Sequence, residues 1–183
     1  MSPLEELVQA ASGDSVSVST LLRKLKVVAT RLGTTPLDEW VDHELMGYPC
    51  DTELPNYRAT RTAQVQGTFT GSFGSVLRNA LVPRGNFPPG WEELFMISFP
   101  QAMAEVELWA ATDGPMRFPW PADAISSANY LISEGELTLY PDMYLQEAGR
   151  TLTPGMFVKI VDSVRTRILD LALSIQVVEP LAG

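Results

Sequence analysis

The sequence predicts an α+β fold: an amino-terminal three-helix unit, a small, mostly antiparallel central sheet and a long carboxy-terminal helix. Three observations support this prediction. Apolar residues recur at helical spacing in the first part of the chain, alternate with polar residues from residue 57 onward, and return to helical spacing near the carboxyl end. With 183 residues, the chain is expected to form one domain, divided into a helical part (1–48), a mixed β-rich part (55–150) and a closing helix (153–177).

The first two helices have clear start and stop signals. Ser2 can cap the first helix and Pro3 suits its first position, and this helix is expected to end near Gly13. The second helix follows the serine-rich segment 15–19 and carries leucines, valines and alanines on one face. Gly33 is expected to end it.

The third helix carries the most informative segment of the chain. Thr35-Pro36-Leu37-Asp38 supplies a cap, a first-turn proline and an acidic residue, and predicts the start of the helix. Trp40, Val41 and Leu45 are expected to face inward. Gly47 is expected to end the helix in the left-handed conformation.

The central part of the chain is predicted to contain strands. Alternation over residues 57–75 favours a strand or hairpin, with glycines as bends or bulges and with one buried face formed by Ala63, Val65, Phe69 and Phe73. Further strands are expected at 95–99 and 136–140, and an extended segment at 116–120. Helices are expected at 101–111 and 122–131.

The last predicted element is a long helix. Thr153-Pro154 supplies its cap and first position, and an apolar stripe extends from Phe157 to Ile175. Glu179-Pro180 is expected to interrupt the helix near the end of the chain.

Composition argues against several classes of protein. The net charge of −9 disfavours nonspecific binding to nucleic acid or anionic lipid. No apolar run is long enough to span a membrane, and Cys50, the lone cysteine, cannot form an internal disulfide. We therefore expect a cytoplasmic protein without membrane contact.

No motif identifies a catalytic site, a metal site or a cofactor. Asp42-His43-Glu44 places the chain's one histidine among carboxylates, but neighbouring side chains on a helix point about 100° apart and cannot converge on one ion. Phosphate-binding glycine motifs and a nucleophile elbow are absent from the sequence. We predict no catalytic residue, no bound metal and no cofactor.

One enzymatic alternative stays open. Glu105 with Glu107, or Glu134 with Glu136, could contribute oxygen ligands to a metal-dependent nuclease. Such sites usually add a lysine, and residues 92–142 contain none. Surface carboxylates are the simpler interpretation of both pairs.

Arg58, which follows Pro55 and Tyr57, invites a structural interpretation. An arginine between a helical and a sheet segment can form a charge-assisted bridge to a nearby carboxylate. We expect this bridge to join Arg58 to Glu44 or Asp42.

The segment from Trp40 to Tyr48 with Leu54 to Arg58 reads W-V-x-x-E-L-x-G-Y…L-P-x-Y-R and resembles the AbiTii family of bacterial abortive-infection proteins. Similar segments are S-V-S-x-L-L-R-K at 17–24, E-V-E-L at 105–108 and I-V-D-S-V-R at 160–165, so the resemblance covers nearly the whole chain. It implies a role in defence against phage, as a module that stands alone or is joined to another domain. It implies no catalytic residue.

From the residues and the resemblance together, we expect a noncatalytic binding, sensor or assembly module. The motif residues Trp40, His43, Glu44, Gly47, Tyr48, Pro55, Tyr57 and Arg58 are its structural candidates. Expected partners are proteins, through self-association or through a fused or associated defence effector, and a phage component. The alternative is a toxic effector enzyme, a metal-dependent nuclease using Glu105 and Glu107.

Overall fold

A computed structural model describes residues 2–178 and confirms the α+β class. Its helices are α1 (Pro3–Ala11), α2 (Val18–Leu32), α3 (Thr35–Met46), α4 (Met103–Ala110), α5 (Ala122–Ser133) and α6 (Pro154–Val178). Its strands are β1 (Arg61–Thr62), β2 (Gln64–Gly71), β3 (Val76–Leu81), β4 (Met96–Ile97), β5 (Met116–Pro119) and β6 (Met143–Leu152). The predicted break at Glu179-Pro180 lies outside the described residues.

The chain divides into two compact units. Of the described residues, 2–59, 99–113 and 154–178 form a helical unit, and Thr60–Ser98 with Gly114–Thr153 form a sheet unit. Phe99–Asp113 lies within the part expected to be β-rich, but its helix α4 packs against α6 and α2 and clusters with the helices.

The helical unit follows the predicted periodicity closely. Ser2 and Glu5 form a capping box at the start of α1, and Gly33 ends α2 with φ +66°. Along α6 the fully buried residues are Phe157, Ile160, Val164, Ile168 and Ala172, all within the predicted stripe. Burial of this stripe against α1, α2 and α4 stabilises the helix, as expected for an amphipathic segment.

The start and the buried face of the third helix differ from their predictions. Thr34 stands at the N-cap position instead of Thr35, and its side chain makes no capping hydrogen bond. Val41 is buried, but Trp40 and Leu45 are only half-buried, and the charged side chain of Glu44 is completely buried. This burial depends on an ion pair described below.

The sheet unit contains an antiparallel sheet with the strand order β3-β2-β6-β5 and a separate short pair, β1-β4. A bulge lies between Thr68 and Phe69 in the pairing of β2 with β6. Phe69 and Leu145 are fully buried in the core. Gly67 is required at its position, because an added Cβ would lie 2.8 Å from the carbonyl oxygen of Glu147.

The prediction for Phe73 is wrong. The residue was expected on the buried face of the first strand, but β2 ends at Gly71 and Phe73 lies in a short 3-10 turn with φ +58°. Its side chain is completely exposed. The strand therefore ends at Gly71, two residues before the last residue of its predicted buried face.

Two strand predictions also need correction. Of 95–99, only Met96–Ile97 pairs as a strand, and 136–140 is not a strand. The backbone N–H groups of Glu136 and Leu137 both donate to the carbonyl of Leu131, so they close the end of α5 instead of joining a sheet. The long strand is β6, which the sequence pattern did not predict.

Within residues 2–178, no helix combines the length and the apolar character that crossing a membrane requires.

Candidate functional site

The residues of the W-V-x-x-E-L-x-G-Y…L-P-x-Y-R segment meet in the helical unit. Glu44 lies on the last turn of α3, and the chain turns at Gly47 with φ +94°. This is a positive φ, but with ψ 159° it is not the predicted left-handed helical conformation. A Cβ at Gly47 would lie 3.0 Å from the carbonyl oxygen of Pro100, to which the N–H of Tyr48 donates at 2.7 Å. Glycine therefore allows the segment to approach Pro100 closely.

An ion pair between Arg58 and Glu44 is the centre of the site. Arg58 Nη2 lies 2.6 Å from Glu44 Oε2, and Arg58 Nε lies 3.1 Å from the same oxygen. Neither side chain is exposed to solvent. The expected bridge to Glu44 is thus confirmed, whereas Asp42 pairs with Lys26 at 2.7 Å.

The guanidinium also binds the segment before α4. Arg58 Nη1 donates to the carbonyl oxygens of Phe99 at 2.7 Å and Gln101 at 2.8 Å. The backbone of Arg58 is fixed as well, because its N–H donates to Pro55 and its carbonyl accepts from the N–H of Phe99. One side chain thereby joins the end of α3 to the start of α4.

Two tyrosines and a tryptophan complete the network on the carboxylate side. The hydroxyl groups of Tyr48 and Tyr57 donate to Glu44 Oε1 at 2.7 and 2.8 Å, and Trp40 Nε1 donates to Tyr57 Oη at 2.9 Å. The Arg58 guanidinium also lies over the Tyr48 ring, 5.4 Å from its centroid. The hydrogen bonds from Arg58, Tyr48 and Tyr57 replace those that the Glu44 carboxylate would make with water, and so offset the cost of burying its charge.

The same environment keeps both phenols protonated. Burial, followed by the negative charge of Glu44, raises the pKa of Tyr57 to about 12 and raises the pKa of Tyr48 still further above its usual value. Protonated phenols donate hydrogen bonds and are poor bases at neutral pH. Both phenols therefore act as hydrogen-bond donors to Glu44, and neither is a base at neutral pH.

His43 lies beside this network without joining the ion pair. Its ring is half-buried and packs at a tilted angle against Tyr48, with ring centroids 5.1 Å apart. Among the described residues, no group of three or more histidine, cysteine or acidic side chains could hold a metal ion. Cys50 is exposed.

The two candidates for an enzymatic site, Glu105 and Glu107, are not brought together. Glu107 accepts hydrogen bonds from the N–H groups of Val18 and Ser19 and from the Ser19 hydroxyl, so it caps the start of α2. Glu105 lies on the exposed side of α4. Residues two positions apart on a helix point about 200° apart, which explains the separation.

The helical unit also contains an apolar groove next to Trp40, which the sequence pattern does not indicate. The groove has a volume of about 400 Å³ and is lined by Leu32, Thr34, Pro36, Leu37, Trp40, Arg167, Leu171 and Ile175. The Arg167 guanidinium lies over the Trp40 ring at 5.1 Å from its centroid. In the sequence, Arg167 is four residues before Leu171 on the face that continues to Ile175, and this spacing does not distinguish an open face from a covered one.

The order of these features along the chain agrees with a known family. The AbiTii family model matches residues 2–182. The chain belongs to the AbiTii family. Family membership points to abortive-infection defence against phage, and the side chains of the buried network belong to the W-V-x-x-E-L-x-G-Y…L-P-x-Y-R segment. No curated protein and no solved structure matches the chain.

Proposed function

We propose that this AbiTii protein acts in phage defence as a noncatalytic binding or assembly module. The observation that carries the proposal is the buried network around Glu44 and Arg58. Its polar atoms bind one another and the backbone, so the most distinctive residues of the chain hold elements of the helical unit together. A catalytic site would need groups that remain available to a substrate.

The charges argue in the same direction. Removing one partner of a buried arginine–glutamate pair lowers the free energy of unfolding by about 3–5 kcal/mol, because the other charge stays buried without a partner. A pair under this constraint is poorly suited to exchange protons or to bind a passing ligand. It is well suited to fix the positions of α3 and of the chain before α4.

The expected partners are proteins. Self-association, a fused or associated defence effector, and a phage component all fit a binding module, and the net charge of −9 still disfavours nucleic acid. We also expect the protein to act in the cytoplasm, where a lone exposed cysteine such as Cys50 is ordinary.

The second candidate, a metal-dependent nuclease, receives less support. It would require carboxylates that converge on a cation. Glu107 is engaged at the start of α2, and Glu105 is exposed on the opposite face of α4.

The test replaces Glu105 by Gln in the bacterium that encodes the protein, at the native gene. Deleting the gene first identifies the phages whose plating efficiency rises. We expect E105Q and the matched surface variant E93Q, which changes an exposed glutamate in the sheet unit, to restrict those phages as well as the unmodified protein does. Thermal unfolding of the purified variants checks that each one folds.

Loss of protection by E105Q, but not by E93Q, in a folded protein would overturn the noncatalytic proposal and favour the nuclease. The variant H43Q provides a second test of the same point, because His43 is the chain's one histidine. A deletion that changes the plating of none of the phages would count against the defence role itself.

A further inference from the structure

We propose that the groove beside Trp40 binds an amphipathic helix of a partner protein, with apolar residues in the groove and a carboxylate on Arg167. This inference rests on the proposed function, because it names the chemistry of a protein partner for the binding module. The groove is distinct from the buried network, although Trp40 belongs to both.

The walls of the groove suit a helix. Arg167, Leu171 and Ile175 lie at intervals of four residues and cover about 12 Å along α6, which is a little over two helical turns. Pro36, Leu37 and Trp40 form the facing wall on α3, and Leu32 at the end of α2 contributes between them. Partner helices that bind in grooves use apolar anchors at this spacing.

The two walls leave room between them. α3 packs against α2 and α4, and α6 packs against α1, α2 and α4, but α3 and α6 have little direct contact. Leu171 and Ile175 are consequently half-buried instead of fully buried, unlike Ile168 and Ala172 on the same helix. A third helix laid between α3 and α6 would cover these side chains and extend the helical packing.

The charge of the groove indicates which helix fits. Arg167 is the charged residue among those that line it, and within residues 2–178 no carboxylate lies within 4.0 Å of its guanidinium. Its position over the Trp40 ring fixes an exposed cation at the edge of an apolar surface. An acidic side chain next to an apolar stripe is complementary to this arrangement, and a basic one is not.

The buried network holds one residue of the groove, Trp40, in position. Trp40 Nε1 donates to Tyr57 Oη, and Tyr57 in turn donates to Glu44, so the orientation of the indole is set by the buried ion pair. This hydrogen bond favours the orientation in which the indole face lies against Arg167. A wall that is ordered before binding reduces the entropy cost of association.

The experiment selects peptides of about 16 residues, long enough for four helical turns, from a displayed library on the purified full chain. The best binder is synthesised and its affinity is measured by fluorescence anisotropy. We expect enriched peptides to combine apolar residues at helical spacing with an adjacent Asp or Glu. We expect R167E to weaken binding of the synthesised peptide by about tenfold or more.

The matched control is K159E, which makes the same charge change at another exposed position of α6, away from the groove. It should leave the affinity unchanged. L171A provides a second variant in the groove and should also weaken binding, and circular dichroism checks that all three variants remain folded.

Three outcomes would overturn the inference: no enrichment of amphipathic peptides, binders without an acidic residue, or equal effects of R167E and K159E. A concentration-dependent dimer that R167E abolishes would also overturn it, since the occupant would then be a second copy of the chain. None of these outcomes affects the noncatalytic proposal, which fails instead on loss of protection by E105Q.

Discussion

The two units of the molecule fix their interiors by different means. In the helical unit, the network around Glu44 and Arg58 joins elements through directed hydrogen bonds and a buried ion pair. In the sheet unit, Phe87, Phe95 and Trp120 meet mainly edge to face, with ring centroids 5.3–5.8 Å apart, and Trp120 Nε1 donates to the carbonyl of Leu94. The helical unit thus adds a polar, directional network to an apolar core, whereas the sheet unit adds an aromatic cluster to its apolar core.

This difference has consequences for substitution. Replacing either member of a buried charge pair causes a large loss of stability, because the other charge remains buried without a partner. In an aromatic cluster, the loss of stability increases with the number of ring atoms removed, because a smaller ring keeps part of the burial and of the edge contacts. The comparison therefore predicts abrupt losses in the helical unit and graded losses in the sheet unit.

The largest effect is expected for Arg58→Ala. It removes the ion pair, leaves the Glu44 carboxylate buried, and frees the carbonyls of Phe99 and Gln101. We expect a loss of about 3–5 kcal/mol in the free energy of unfolding. Urea denaturation measures the loss, and hydrogen exchange in peptides from residues 99–113 locates it in the helical unit.

A double-mutant cycle sharpens this test. E44M combined with R58M should cost less than the sum of the two single substitutions, because the double variant leaves no unpaired charge. Additive losses would contradict the interpretation of the pair as one coupled unit. A loss below about 1 kcal/mol for Arg58→Ala would contradict the contrast between the units.

The next effect is expected in the aromatic cluster. Trp120→Ala should cost about 3–5 kcal/mol as a large cavity opens, but Trp120→Phe should cost only about 1–2 kcal/mol, because an aromatic ring remains and the hydrogen bond to Leu94 is lost. Urea denaturation of both variants measures the gradation. Equal losses for the two would show that the hydrogen bond, and not ring packing, governs this unit.

The same contrast explains what the sequence revealed. A buried ion pair needs partners of particular types, so Glu44 and Arg58 stand out in a helical and turn context, and their bridge could be predicted. The roles of Tyr48 and Tyr57 as donors could not, because a tyrosine at either position is equally compatible with simple burial. The interior of the sheet unit left no comparable signature, because Phe87 lies outside the strands and its segment has no periodic pattern.

The errors in the fold have a shared cause in local backbone geometry. In β6 the buried residues Leu145 and Ala148 are three positions apart, since the pairing with β2 shifts register at Phe69. The alternation that identifies a strand is thereby hidden. The reverse error occurred at 136–140, where Leu137 and Leu139 alternate with polar residues in a segment that pairs with no strand.

The groove beside Trp40 could not be predicted for a further reason. Leu171 and Ile175 continue the apolar stripe of α6, and periodicity alone does not distinguish a face covered by another helix from a face left open. The packing of α3 and α6 decides that question, and it depends on contacts distant in the sequence.

A smaller effect, dependent on pH, is expected for Tyr57. Its pKa is raised to about 12 by burial and then by Glu44, so the folded protein holds this proton more tightly than the unfolded chain, where the usual value is about 10. The contribution to stability is complete below pH 10 and is lost as the pH rises toward 12. At neutral pH, Y57F should cost about 1–2 kcal/mol through the lost hydrogen bond to Glu44.

Unfolding measured between pH 9 and about 12 checks both statements about Tyr57. The unmodified protein should lose stability with rising pH more steeply than Y57F does. Parallel curves for the two proteins would mean that the phenol is not held protonated by the network.

The smallest effect concerns an exposed ion pair of the sheet unit, which is the counterpart of the buried pair. Glu147 Oε1 accepts from Thr68 Oγ1 at 2.8 Å and from Arg117 Nη1 at 3.0 Å. The hydrogen bond from Thr68, followed by the charge of Arg117, lowers the pKa of Glu147, so its contribution is present at neutral pH and is lost as the pH falls below about 4. Because solvent screens this pair, we expect Glu147→Gln to change the free energy of unfolding by less than about 1 kcal/mol at pH 7. Urea denaturation at pH 7 and pH 3 measures the difference, which should be smaller at the lower pH. A loss comparable to that of Arg58→Ala would mean that burial is not what separates the two ion pairs.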